Sequence, residues 1–235
     1  MPVVNLNWSK NAIAAIGPSG QNNFTNAREA EESTSSDVNV IGTNEKASSN
    51  IRSSSRGGAS FGFARSYYGF DFTGYTTGTI TNLAFHFKPT TSSTATLSNR
   101  LAQFTGFGEE VGSNYNDGDW WDSIADPLVP YSNAFNSADN NTAADVSLNS
   151  TAITDAKADG FLKLVLMNAT DYNNLNISVD VSSFTNWNQS SNKTFLRFNY
   201  AAPGYNQVIN GVPSDPDSKI NDVSYTNVSQ VMGVS

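Results

Sequence analysis

The sequence predicts an all-β protein, an antiparallel β-sandwich, on three observations. The first is a pair of alternating segments, RSYYGFDF and TITNLAFHFK, joined by TGYTTG between Arg65 and Lys88. Tyr68, Phe70 and Phe72 share one face of the first, with Tyr67, Gly69 and Asp71 on the other. In the second, Leu83, Phe85 and Phe87 share a face while Asn82, Ala84 and His86 point away. Period-two placement of aromatics predicts strands buried on one side only, with Tyr67 and His86 turned outward. The second observation is spacing, about nine short strand-like runs separated by turn residues. The third is composition. Asn, Ser and Thr make up roughly a third of the 235 residues, and the strong helix formers are scarce.

The elements follow in order. From Met1 to about Gly58 the chain is polar and weakly patterned. VVNLNW reads as a short edge strand, and DVNVIG as a strand with Val38 and Val40 on one face. REAEEST gathers acids but is too short for a helix. This predicts an N-terminal arm or edge segment over residues 1–37 and a sandwich domain over 38–235. Gly57 and Gly58 mark a turn or bulge. The Arg65–Lys88 pair then reads as the central hairpin, stopped by Pro89. TATLSNRLAQF is a possible strand, followed by the glycine- and acid-rich loop GFGEEVGSNYNDGDWWD. AADVSLNSTAI leads to a turn through Asp159 and Gly160. FLKLVLM is a continuous apolar run, which predicts a strand covered on both faces. ISVDVSSF alternates cleanly. TFLRFNY sets Phe195 and Arg197 opposite Leu196, Phe198 and Tyr200. SKINDVSYTNV reads as the closing strand, with Ile220 and Val223 broken in phase by Asn221-Asp222. Strand number and turn spacing together favour a jelly roll with an extended polar N-terminal arm.

Bulk chemistry removes several functions. Net charge is −8 and the six arginines are scattered, which argues against nucleic acid, whose phosphates need clustered Lys and Arg. With no cysteine, neither disulfides nor a thiolate zinc site can form. The start, MPVVNLNWSKNAIAAIGPSG, lacks the charged and apolar regions of a signal peptide. No run approaches the ~20 apolar residues of a membrane span. The expectation is a protein made in a cytoplasm and released only by lysis, without membrane insertion.

The candidate sites are few. His86, the one histidine, sits between two phenylalanines on an outward strand face and reads as scaffold rather than general base. Glu109, Glu110, Asp117, Asp119 and Asp122 are close enough in sequence to supply the two carboxyls of a glycosidase. Their surroundings carry no apolar strand end to raise a carboxyl pKa, so a solvated turn is the favoured reading. Asn114, Asn116, Asp117 and Asp119 are oxygen donors for calcium, though their spacing is not that of an EF-hand, and Asp215, Asp217 and Asp222 form a second donor group. Tyr115, Trp120, Trp121 and Tyr131 form the most function-like group, because sugar rings stack on exposed aromatic faces. Plugging the sandwich end, or packing on a neighbouring subunit, competes with that role. Trp187 reads as a core cap. The N-x-[S/T] triplets occur about as often as this composition yields by chance.

The order of segments resembles a known group. RSYYGFDF with TITNLAFHF, then WWDSIADPLVPYS, DVSLN, GFLKLVL, FLRFNY and DPDSKINDVSY follow one another as in jelly-roll surface proteins of tailed bacteriophages and marine viruses. Those are similar to carbohydrate-binding modules of the DNRLRE type. The resemblance spans roughly Val38 to Val228 and leaves the first residues uncovered. It implies a non-enzymatic virion component on a capsid or tail surface, oligomeric and in contact with other virion proteins. It also admits host-surface glycans as ligands. A glycan-binding module acting in adhesion is the alternative, and a hydrolase using Glu110 or Asp119 is the third and weakest reading.

Overall fold

The computed structural model describes residues 1–16, 35–38, 46–54, 60–92, 98–105, 128–136, 143–175, 182–188, 194–203, 219–220 and 223–224. Within them two antiparallel sheets face each other, the all-β sandwich that the sequence predicts. The smaller sheet runs in the order β1 (Val3–Asn7), β13 (Phe195–Ala201), β6 (Thr79–Phe87), β10 (Ala144–Ser147). The larger runs β7 (Pro89–Ser92), β12 (Ser182–Asn188), β4 (Lys46–Ser54), β5 (Ser60–Asp71), β11 (Phe161–Asn168), β8 (Ser98–Gln103), β9 (Phe135–Asn136). To it belong also β2 (Lys10–Ile16), paired with β5, and β3 (Ser35–Val38), paired with β2. Both β2 and β11 pair with Ser66–Gly69 of β5, so they occupy its opposite edges. The β4 register overlaps that of β2 at Phe63 and Ala64, which puts β4 end to end with β11.

The aromatic pair is not a hairpin. β5 and β6 lie in different sheets, and the link between them is an arch. Asp71 Oδ1 accepts from Thr73 N at 2.9 Å and Thr73 Oγ1 at 2.7 Å, starting the 3-10 turn Thr73–Tyr75. These hydrogen bonds, backbone first, hold the Asp71 carboxyl below its ordinary pKa. The physical reason for the arch is that both strands carry aromatics on one face. In a hairpin those faces would lie side by side and need a third layer to cover them, whereas the arch packs them against each other. Tyr68 and Phe85 meet with centroids 5.3 Å apart, and Phe72 stacks on Phe198 at 5.4 Å. One core results, drawn from both sheets.

The expectation of one-sided burial describes β6 except at Ala84, which is buried as well, and fails for β5. On β6, Ile80, Leu83, Phe85 and Phe87 are buried while Thr79 and Asn82 are exposed. Ile80 and Leu83 are three apart yet both face inward, because Asn82 takes a positive φ of 55° and inserts an extra residue opposite Arg197–Asn199. On β5 every residue from Phe61 to Phe70 is buried. Tyr67, expected outside, packs on Phe104 at 4.7 Å and has no exposure. Alternation there separates two covered faces, and a second aromatic layer lies behind the first. β11, flanked by β5 and β8, is the doubly covered strand that FLKLVLM predicts.

Residues 3–7 form the edge strand suggested by VVNLNW, and residues 10–16 pair with β5 in the large sheet. The stretch after DVSLN, expected to lead into a turn, is a helix, α1 (Ser150–Asp159), signalled by its residue types only at its two ends. Asn149 caps it by accepting from Ala152 N at 3.1 Å, Ala152 and Ala156 face the core, and Gly160 ends it at φ 64°. A short helix, α2 (Ala169–Tyr172), follows β11. Among the described residues, β14 (Lys219–Ile220) pairs with β15 (Val223–Ser224), with Ile220 opposite Val223, and the rest of the expected closing segment lies outside the description.

Candidate functional site

Most of the residues favoured by sequence lie outside the described part of the structure. These are Tyr115, Trp120 and Trp121, the calcium donors Asn114, Asn116, Asp117 and Asp119, the acids Glu109, Glu110 and Asp122, and the group Asp215, Asp217 and Asp222. Trp187 is on β12, with its side chain outside the description. Tyr131 is described, and its expected role as an exposed sugar platform is corrected. It is 1 % exposed, belongs to the core, and donates its hydroxyl to Asp155 Oδ2 at 2.8 Å. Burial, then the hydrogen bond to Asp155, raises its pKa. A ring enclosed on all sides cannot stack on a ligand.

His86 stands on the outward face of the small sheet, as its strand phase predicts, but it is not free in solvent. Its Nδ1 lies 2.5 Å from Asp145 Oδ1, and its ring stacks on Phe195 at 4.3 Å. Asp145 also accepts from Arg197 Nη1 at 2.7 Å, and Arg197 Nε reaches Asn5 Oδ1 at 3.3 Å. Strand pairing dictates this row, since His86 is registered with both Asp145 and Phe195, and Arg197 with Asn5. The row clamps all four strands of the sheet from outside. It is a cross-strand ladder of the kind that stabilises sheets.

A hollow of about 230 Å³ opens at the edge of the sandwich. Arg100 of β8 forms one wall, and Ser147 and Leu148 at the end of β10 another. Pro130, Ser132 and Asn133 complete it, with Asn149, the N-cap of α1. Two of the polar groups are engaged in building the wall. Ser132 Oγ accepts from Leu101 N at 3.0 Å and donates to Asn133 O, while Asn149 Nδ2 donates to Pro130 O at 2.7 Å. The Arg100 guanidinium lies over the Tyr172 ring at 4.5 Å. The lining offers hydrogen-bonding groups, with apolar surface at Pro130 and Leu148.

The third cluster is interior. Arg65 meets Asp171 of α2 through two bonds of 2.7 Å, beside the buried Tyr67. Burial first, and Asp171 in addition, raise the Tyr67 pKa, while Arg65 opposes the change. Among the described residues no three His, Cys, Asp or Glu side chains come together as metal ligands, and no helix is long and apolar enough to cross a membrane.

Fold and site together define a β-sandwich protein with a clamped outer sheet face and a small polar hollow at one edge. No family model matches the chain, and no curated protein matches it. Arg100, Ser147 and Asn149 were missed by sequence reasoning. The one local signal was the strand pattern SNRLAQ, which sets a long cation between buried positions without showing what it faces.

Proposed function

We propose that this chain is a non-enzymatic structural component of a phage virion, displayed on the capsid or tail surface as a decoration or appendage protein. The observation that carries the reading is the order of segments from Val38 to Val228, on a sandwich built around the Arg65–Lys88 arch. A jelly-roll arrangement suits it, since β1 lies beside the late strand β13 as a returning strand would. A doubly layered aromatic core gives rigidity without disulfides, which suits a part exposed on a particle. Its partners in this reading are other virion proteins and further copies of itself. Gold-labelled antibody against the chain should decorate intact particles in electron micrographs. Labelling confined to material that sediments apart from particles overturns the proposal.

The alternative, glycan recognition in adhesion, is favoured by one observation, the hollow lined by Arg100, Ser147 and Asn133. The loop residues Tyr115, Trp120 and Trp121 stay in that reading as further sugar contacts, and Asn116, Asp117 and Asp119 as calcium donors. Trp120→Ala or Trp121→Ala should then lower binding to host cells without lowering the melting temperature. An equal loss of stability with no loss of binding would assign them to packing instead.

A further inference from the structure

We propose that the open edge of β1 is a self-association surface, where β1 of a second copy pairs antiparallel about a twofold axis and joins two small sheets into one. The inference rests on the virion reading only for the expectation that copies of this chain meet, and it gives that contact a surface. Its starting point is backbone phase. β1 ends the small sheet, with β13 on one side and no strand on the other among the described residues. Tyr200 N donates to the Pro2 carbonyl at 3.1 Å, and the register runs unbroken from Val3↔Asn199 to Asn7↔Phe195. In an antiparallel ladder, hydrogen-bonded pairs alternate with unbonded ones. Pro2, Val4 and Leu6 therefore face β13, while Val3, Asn5 and Asn7 aim their backbone N–H and C=O groups at the open edge. All three of those residues are exposed, so the row is accessible.

The strand is self-complementary. Centred on Asn5, an antiparallel second copy sets Val3 opposite Asn7, Asn5 opposite Asn5, and Asn7 opposite Val3. Each such pair exchanges both of its hydrogen bonds, which leaves none of the outward N–H and C=O groups over. On the core side Val4 falls opposite Leu6, and these half-buried apolar side chains gain cover at the join. Charge does not oppose the contact. No charged side chain lies between Pro2 and Ser9, and β1 has no bulge, two of the devices that ordinarily blunt an edge. The opposite edge of the sheet, β10, carries the exposed carboxylate of Asp145, which favours β1 as the joining edge. A contact of one short strand buries less than the roughly 1,200 Å² of stable interfaces, so pairing is weak between free chains and strengthens where copies are held side by side.

The test is sedimentation equilibrium of the full chain over a concentration series. The expected result is a reversible monomer–dimer equilibrium with Kd on the order of 100 µM. Asn5→Pro removes a donor that points away from β13, so the fold is kept while the dimer weakens at least about tenfold. Should Asn5→Pro fold poorly, charge exchange at the twofold asks the same question. Asn5→Lys alone and Asn5→Asp alone should be monomeric, and their equimolar mixture should dimerise. A monomer at every concentration up to about tenfold above that Kd overturns the interface and leaves display on the virion standing, since labelling of particles tests that separately. A dimer untouched by all three changes lies elsewhere on the chain and overturns the interface too. Assemblies larger than a dimer that disappear with Asn5→Pro place β1 against a different edge and overturn the twofold pairing. A dimer sensitive to Asn5, from a chain absent from particles, upholds the interface and overturns the virion reading.

Discussion

Arg65 on β5 and Asp171 on α2 form a two-point ion pair sealed from solvent, their side chains 4 % and 2 % exposed. The pair joins residues 106 apart in sequence and pins the short helix after β11 against the second face of the large sheet. A buried pair of this kind is not strongly stabilising as a whole, but removing one member strands the other charge.

Asp171→Ala is therefore expected to destabilise the protein by about 3–5 kcal/mol, and the double change Arg65→Met with Asp171→Leu by much less. Urea unfolding of the two variants measures both. A single change that costs no more than the double one would show that Arg65 is solvated in the native protein.

Alkaline stability should report the buried phenols. Tyr67 and Tyr131 both have pKa values raised by burial, so the unfolded chain loses their protons first as pH rises through ~10. Their contribution is intact below pH ~10 and declines above it by about 1.4 kcal/mol per pH unit for each phenol, until the folded groups also ionise. Tyr131→Phe should make the alkaline branch of the stability curve shallower by that amount for one group. An unchanged slope would mean that the Tyr131 hydroxyl is open to water.

The outer ladder should matter little for stability. Asp145→Asn weakens the contacts to both His86 and Arg197, yet Asp145 and Arg197 are more than a third exposed. The expected cost is below about 1 kcal/mol and smaller still in high salt. Thermal melts at two ionic strengths check this, and a salt-independent loss of several degrees would point to a role beyond clamping strands.

Two glycines should differ in why they resist substitution. Gly160 has φ +64°, and an added Cβ would meet Thr73 and Thr76 only at ordinary contact distances of 3.5 and 3.8 Å, so Gly160→Ala should cost about 1 kcal/mol, mainly from conformation. At Gly78 an added Cβ would overlap the Tyr200 ring and the Ala201 carbonyl, so Gly78→Ala should cost more and disturb the start of β6. Lys157 Nζ donates to the Gly78 carbonyl at 2.8 Å, so the same change should loosen α1. Hydrogen exchange along α1 would detect this, and full protection in the variant would contradict it.

Much of the sandwich was legible because side-chain period is local. Leu83, Phe85 and Phe87, and Leu196 with Phe198, point where alternation places them. Which strand pairs with which is not local, and so the Arg65–Lys88 pair was misread as a hairpin. Its linker carries turn residues that suit a hairpin and an arch equally. Tyr67 was misread for a related reason, since alternation tells two faces apart without saying whether a second layer covers one of them. Helix α1 was obscured by Thr151, Ile153 and Thr154, β-branched residues in a short segment, although Asn149 and Gly160 marked both its ends. The hollow was illegible because its walls come from Arg100, Pro130 and Ser147, brought together only by the meeting of two sheets' edges.

Mass spectrometry of gradient-purified virus particles tests the central claim most directly. The account predicts peptides of this chain in the particle fraction at a fixed copy number relative to the major capsid protein. Its recovery only from particle-free lysate, or at trace levels that vary between preparations, would contradict a structural role in the virion.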